Sequence, residues 1–166
     1  MTENPNAGHY LGWPAYYEEV RRQTDGVSQQ IDVINTRGAA LIAQSSALLP
    51  IALGMLSWAK AADNIIAWAA IGIAVVAYGF VLGFGFEAVK TADYELRPNP
   101  DDLLPLAADR TESEVKLLVA NEQMRVLPGN RAIANAKGRA LGFALNAAAV
   151  QGTALALAFL QSFWPR

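Results

Sequence analysis

The sequence contains no cysteine and only one histidine in 166 residues. Without cysteine the chain can form no disulfide, no thiolate nucleophile and no thiolate-based zinc site. The single histidine, His9, stands in a segment rich in Gly, Pro and Asn and has no second histidine with which to share a metal or a proton. We therefore expect no catalytic residue, no metal and no cofactor, and we predict that the protein is not an enzyme.

Charged residues are missing from three long stretches of the sequence, 38–59, 64–86 and 140–165. As helices, these stretches of roughly 22 to 26 residues would be about 33 to 39 Å long, at ~1.5 Å per residue. The hydrocarbon core of a membrane is about 30 Å thick, so each stretch is long enough to span it. β-Strand patterns are missing as well. We predict an all-α integral membrane protein with three transmembrane helices plus cytoplasmic helices, assembled as an oligomeric helical bundle.

The distribution of Lys and Arg predicts the orientation, because basic loops resist translocation. Lys60 is the only basic residue between the first two charge-free stretches, whereas the segments before the first and after the second carry many. This pattern predicts a cytoplasmic amino-terminal helix at 1–37, a transmembrane hairpin at 38–86, a cytoplasmic helical segment at 87–138 and a third transmembrane helix at 139–166. The expected location is the bacterial inner membrane, with membrane lipids around several spans and the carboxyl terminus in the periplasm.

Apolar and aromatic residues recur every three or four positions between residues 13 and 34, which predicts one amphipathic helix continuing into the first span. Two interpretations remain open: the apolar stripe packs on the protein's own cytoplasmic helices, or it pairs between subunits. Its members are Trp13, Tyr16, Val20, Val27, Ile31 and Ile34.

A second cytoplasmic helix is predicted to begin at Thr111, because Thr111 and Glu114 have the spacing of a capping box. Pro128 and Gly129 predict an interruption, since proline removes a backbone donor and glycine is a poor helix former. A further helix should then start near Asn130 and run into the third span.

Neutral polar residues lie inside the first and third predicted spans. Amides and hydroxyls in a bilayer can join neighbouring helices by hydrogen bonds, or they can line a pore when an oligomer repeats them around an axis. Both roles remain open for these candidates, which are Gln44, Ser45, Asn146, Gln151 and Thr153.

Three further residues are candidates for helix packing or bending. Gly79 and Gly83 form a GxxxG step, which permits another helix to approach closely. Pro50 lies within the first span, where it is expected to bend the helix as a static kink or as a gating hinge.

The cytoplasmic segment carries four cations that are candidates for ligand binding, since guanidinium and ammonium groups bind phosphate well. They are also explained by topology alone, as residues that hold the segment on the cytoplasmic side. Duplex nucleic acid is not an expected partner, because charges of both signs are interspersed. The candidates are Arg110, Lys116, Arg125 and Arg131.

Two segments share a pattern of a cation, a small residue and an apolar run: IDVINTRGAALIAQSSALL at 31–49 and NRAIANAKGRALGFA at 130–144. On these segments the chain resembles small bacterial membrane effectors of nucleotide-signalling antiphage defence systems, of the Pycsar-effector and SLATT kind, and also the Hailong effector. The resemblance implies a homo-oligomeric pore or ion channel that depolarises the inner membrane in abortive infection. Its gate would be a cyclic nucleotide or oligonucleotide signal, or a partner such as a cognate nucleotidyltransferase. The alternative function is a non-conducting scaffold that anchors a soluble partner through the amino-terminal helix.

Overall fold

The computed structural model describes residues 13–58, 65–92 and 110–163, and the side chains in these ranges except those of residues 13, 55–58 and 162–163. The described parts form three helices and no strand. Helix α1 is Trp13–Trp58, α2 is Ile65–Val89 and α3 is Glu112–Phe163. The all-α prediction is confirmed for these residues.

The apolar stripe predicted in α1 is buried from Val20 to Ile34, whereas Tyr16 is exposed and the Trp13 side chain lies outside the described residues. Val20, Val27, Ile31 and Ile34 are all buried, with Ile31 entirely inaccessible. Thr24 continues the stripe because its hydroxyl donates to the carbonyl of Val20 (3.0 Å) and so needs no outside partner. This burial supports packing within the chain over pairing between subunits.

Helix α3 begins with the predicted capping box. The Glu114 carboxylate accepts hydrogen bonds from the backbone N–H and the hydroxyl of Thr111, both 2.9 Å long. In return the Glu114 N–H donates to the Thr111 hydroxyl. The backbone and hydroxyl hydrogen bonds from Thr111 lower the pKa of the Glu114 carboxyl, which lies in the predicted cytoplasmic segment.

The predicted interruption at Pro128 was wrong, because α3 continues through it. A proline inside a helix costs ~3 kcal/mol or more. Pro128 and Gly129 lie on the exposed side, however, whereas Leu127 and Asn130 beside them are only 2% and 3% exposed. Burial on the inner face keeps the backbone helical where local propensity alone would end it.

The chain divides into two compact units. The first comprises Met1–Ile31 and Ala92–Asn135, and the second comprises Asp32–Thr91 and Ala136–Arg166. In the first unit, the described core is a cluster of Val27 and Ile31 from α1 with Leu127 and Ala134 from α3.

The second unit contains two described core clusters. Ile34, Ala88 and Leu141 form one, with Leu41 and Ala140 packed against it, so that all three helices contribute. The other joins α2 to α3 through small residues and one isoleucine. Its members are Ala67, Ala70, Ile71 and Ala158.

The exposed surfaces of α2 and the carboxyl-terminal part of α3 are apolar. Ile73, Val76 and Phe80 on α2 are each more than half exposed, and so are Phe143 and Leu160 on α3. Soluble monomers rarely expose large contiguous apolar patches, whereas a lipid-facing helix does so throughout. Both helices are also long and apolar enough to cross a membrane. The predicted first span, 38–59, extends past the described side chains at its carboxyl end and is not one of these two.

Candidate functional site

A group of neutral polar side chains joins the helices of the second unit. Gln151 on α3 is completely buried and its amide Nε2 donates to the backbone carbonyl of Ser45 on α1, 3.2 Å away. The hydroxyl of the next residue, Ser46, is hydrogen-bonded to the hydroxyl of Tyr78 on α2 (2.9 Å). Two consecutive residues of α1 therefore bond to the other two helices.

The amide of Gln151 is only half satisfied. Its Oε1 is buried and has no hydrogen-bond partner among the described residues. The amide cannot turn over, because Oε1 would then face the Ser45 carbonyl and repel it. A buried acceptor without a partner costs about 1 to 3 kcal/mol, which is comparable to the ~0.6 to 2 kcal/mol that an interhelical hydrogen bond contributes in a bilayer.

The structure brings together only two of the five candidate polar residues, Ser45 and Gln151. Gln44 and Asn146 point outward and are exposed. Thr153 is also exposed, and its hydroxyl donates to the Ala149 carbonyl of its own helix (2.9 Å). Two amides thus lie on the outer surface of helices whose other exposed side chains are largely apolar.

Close helix approach occurs at glycines other than the GxxxG pair. A Cβ on Gly38 would lie 2.8 Å from Val89 Cγ1, and one on Gly85 would lie 2.7 Å from Ile42 Cγ1. A Cβ on Gly79 or Gly83 would meet no described atom within 4 Å. The contact between α1 and α2 therefore depends on Gly38 and Gly85, while the GxxxG face is open.

Pro50 lies on the exposed side of α1, and the helix continues through it to Trp58. Proline cannot donate a backbone hydrogen bond, so the carbonyl of Ser46, four residues earlier, loses its usual helical donor. The adjacent Ser46 hydroxyl is the group that bonds to Tyr78. The backbone hydrogen bond that Pro50 removes is thus adjacent to a contact between α1 and α2.

The four candidate ligand-binding cations do not converge on one site. Lys116 pairs with Glu112 (2.6 Å), Arg125 pairs with Glu122, and Arg131 donates to the Gln23 amide oxygen (2.9 Å). Arg110 is exposed at the start of α3. At ~1.5 Å per residue, Lys116 and Arg131 are about 22 Å apart along the helix. A ligand as small as one nucleotide could contact only one or two of these cations at once.

These ion pairs are reflected in the acidity of their members. The hydrogen bond to Glu112 raises the pKa of Lys116, and the hydrogen bond from Arg125 lowers the pKa of the Glu122 carboxyl. Among the described residues, no group of three or more His, Cys, Asp or Glu side chains is arranged to hold a metal.

Lys137 is the residue that sequence reasoning missed. It was assigned only to the cation of the repeated pattern at 130–144, yet its side chain is 5% exposed. Its Nζ donates to the Asn35 side-chain oxygen (3.0 Å) and to the backbone carbonyls of Ala88 (2.9 Å) and Lys90 (2.6 Å). This ammonium group, carried by α3, therefore contacts α1 and the carboxyl end of α2.

The helices and their apolar exposed surfaces define the class: an all-α protein with two helices able to span a membrane. No family model, no curated protein and no solved structure matches the chain. The case for a particular function therefore depends on the contacts and exposures of its own residues.

Proposed function

We propose that the chain is a three-span protein of the bacterial inner membrane, and that its subunits assemble into a pore that depolarises the membrane in antiviral defence. A nucleotide signal or a partner protein gates the pore. The observation that carries the proposal is the exposure of Gln44 and Asn146 on otherwise lipid-compatible helices.

The two exposed amides are the strongest support for assembly. In lipid, a primary amide without a hydrogen-bond partner is costly, because no water is present to replace the lost bonds. Gln44 and Asn146 each lie about six residues, or ~9 Å, inside their predicted spans from the cytoplasmic side. In an oligomer, both amides would lie at one level, where they would face a pore or a neighbouring subunit.

Exposed residues also support a third span in α1. Leu48, Ile51 and Leu53 are each about half exposed, as are the outward side chains of α2 and α3. The segment 38–59 has no charge to oppose insertion. A hairpin of α1 and α2 with α3 beside them gives the proposed topology, with the amino-terminal part of α1 in the cytoplasm.

The open glycine face of α2 is a suitable contact for a second copy. Gly72, Gly79 and Gly83 have open space where a Cβ would be. Glycines at such spacing allow backbones to approach closely in lipid. Contacts among the described residues do not use these three glycines, and contact with a second copy would account for their lack of side chains.

Sensing is assigned to the first unit. Lys116 and Arg125 are paired with carboxylates and Arg131 with an amide, and a phosphate-bearing ligand would have to compete with those partners. The resemblance to nucleotide-gated membrane effectors supports such a ligand or a cognate partner protein.

Expression in bacteria with a membrane-potential dye tests the proposal. Unrestrained expression of the wild-type chain should depolarise the cells. Asn146→Leu should reduce depolarisation and toxicity several-fold, because it removes one amide per subunit from the proposed pore. Asn146→Gln is the matched control: it keeps an amide and should retain activity. A normal membrane potential during strong membrane expression of the wild-type chain would refute the pore.

The alternative, a non-conducting scaffold, is supported by the exposed charged face of α1 around Glu18, Arg22 and Asp25. The apolar stripe on which that function was first based is already covered, since Val27 and Ile31 pack against Leu127 and Ala134. Cross-linking in membranes separates the two functions. A ring of identical chains supports the pore, whereas one chain bound to a different protein supports the scaffold.

A further inference from the structure

In the part of the chain that the structure describes, the carboxyl end of α2 has no side-chain cap of its own. The last four carbonyls of any helix lack donors within the helix and need partners from elsewhere. The last turn of α2 contains no basic residue. The Lys90 side chain, just beyond the helix, is paired with Glu87. Among the described residues, the side-chain donor to the carbonyls of Ala88 and Lys90 lies on another helix.

Lys137 is that donor, and the number of its N–H bonds equals the number of oxygens that it contacts. An ammonium group has three N–H bonds, and the Lys137 ammonium donates to three oxygens, those of Ala88, Lys90 and Asn35. All three oxygens are neutral. The negative end of the α2 dipole, together with these bonds, stabilises the buried charge in place of a carboxylate.

Neighbouring cations do not share this arrangement. Arg37 occupies the position equivalent to Lys137 in the repeated pattern, and Arg139 is two residues further along α3, yet both are exposed. Several residues place positive charge at the predicted membrane boundary. Of Arg37, Lys137 and Arg139, it is Lys137 that bonds to the carboxyl end of α2.

We infer that Lys137 is a latch: its ammonium fixes the carboxyl end of α2 against α1 and α3 and holds the proposed pore closed. The gating half of this inference, that Lys137 holds the pore closed, rests on the proposed function. The positioning half, that Lys137 fixes the carboxyl end of α2, does not. A charge-assisted hydrogen bond is worth roughly a tenfold change or more in an equilibrium. Loss of all three bonds should therefore release the α2 terminus.

Spin labels test the positioning half. The chain has no cysteine, so Thr36→Cys on α1 and Thr91→Cys beyond α2 give two unique labels at exposed residues. In liposomes, the distance distribution between the labels should be narrow. It should broaden in Lys137→Met and stay narrow in Arg139→Met, which removes the same charge near the same boundary. A narrow distribution in Lys137→Met would overturn the latch.

Ion leak from the same liposomes tests the gating half. We expect Lys137→Met to increase leak about tenfold or more and Arg139→Met to leave it unchanged. Asn35→Asp should reduce leak below the wild-type level, because a carboxylate holds the buried ammonium more tightly than an amide does. This variant keeps the test informative even if Lys137→Met fails to fold. A leak through Asn35→Asp equal to that of the wild type would overturn the gating half.

The two readouts separate the latch from the pore. Broadened distances together with a measurable leak through Lys137→Met that equals the wild-type leak would overturn gating by the latch and leave the pore standing. No leak through any variant would overturn the proposed pore, and the label distances alone would then decide whether Lys137 positions α2.

Discussion

Gln151 lies fully buried in a part of α3 that has no charged residue, with its Nε2 bonded and its Oε1 unpartnered among the described residues. Replacing a half-satisfied polar group by an apolar one of similar size is often neutral or stabilising, because the desolvation penalty disappears with it. The residue therefore gives a direct test of whether its oxygen is unpartnered in the assembled protein.

We expect Gln151→Leu to raise the free energy of unfolding in detergent by about 1 kcal/mol, since relief of the unpaired oxygen outweighs one lost hydrogen bond. Gln151→Ala should lower it by about 2 kcal/mol, because a cavity remains. Thermal or denaturant unfolding of the purified protein measures both. A clear loss of stability in Gln151→Leu would show that another molecule bonds to Oε1.

Two glycines of α2 that are two residues apart should respond oppositely to alanine. Gly85→Ala should destabilise the chain by about 1 to 3 kcal/mol through overpacking, since its Cβ would lie 2.7 Å from Ile42. Gly83→Ala meets open space, so it should stabilise a monomer by up to about 1 kcal/mol through helix propensity.

Unfolding experiments in detergent, with the oligomeric state measured alongside, check this pair of variants. If Gly83 contacts a second copy, Gly83→Ala should weaken the oligomer while Gly85→Ala weakens the monomer fold. Equal losses of stability in the two variants would contradict the assignment of Gly85 to the contact with α1.

At the scale of elements, the stability of the first turn of α3 should depend on pH. The folded-state pKa of Glu114 is lowered by its hydrogen bonds from Thr111. A carboxyl whose pKa is depressed on folding stabilises the folded form above its unfolded pKa, and that contribution is lost as pH falls through the folded pKa. The first turn of α3 should therefore fray in acid.

Carboxyl NMR of Glu114 and amide exchange at residues 112–115 measure this fraying. Thr111→Ala should move the pKa of Glu114 back toward its ordinary value, since the hydroxyl donor is removed. A Glu114 titration that is unchanged by Thr111→Ala would show that the hydroxyl contributes nothing to the cap.

Local sequence patterns predicted several elements correctly, but they could not predict the long-range contact of Lys137 with the end of α2. The stripe of α1 and the capping box of α3 depend on residues three or four apart, so the sequence alone reveals them. The break at Pro128 was wrong because burial of Leu127 and Asn130 overrides the local cost of proline. Lys137 was missed because its acceptors at Ala88 and Lys90 lie 49 and 47 residues away.

If the sequence had been assigned as one unbroken helix through Pro128, Lys137 and Gln151 would both have been predicted to lie on its buried face. Their positions share one helical face, along which buried residues run from Ala120 to Ala158. A helix period assigned through Pro128 places both on that face, whereas Arg139, about 200° around the helix from Lys137, falls outside it. The buried members include Leu127, Asn130, Ala134, Lys137, Leu141, Ala144 and Gln151.

At the scale of the whole molecule, the proposed topology makes a directional prediction. A single cysteine at Ser28 should react with an impermeant thiol reagent only when the cytoplasmic side is accessible. A single cysteine at Lys60 should react from the periplasm in intact cells, because the turn between the first two spans is proposed to lie outside. Labelling of both positions from the same side would contradict a hairpin formed by 38–86.

The cap on α2 also has a consequence for biosynthesis. The acceptor at Lys90 and its donor at Lys137 are separated by 47 residues. A ribosome that adds about 5 to 20 residues per second needs roughly 2 to 9 seconds to make that interval. During this time the newly made α2 ends in carbonyls that its eventual donor cannot reach. A nascent chain arrested before Lys137 should therefore be more exposed to quality-control proteases than one arrested after it.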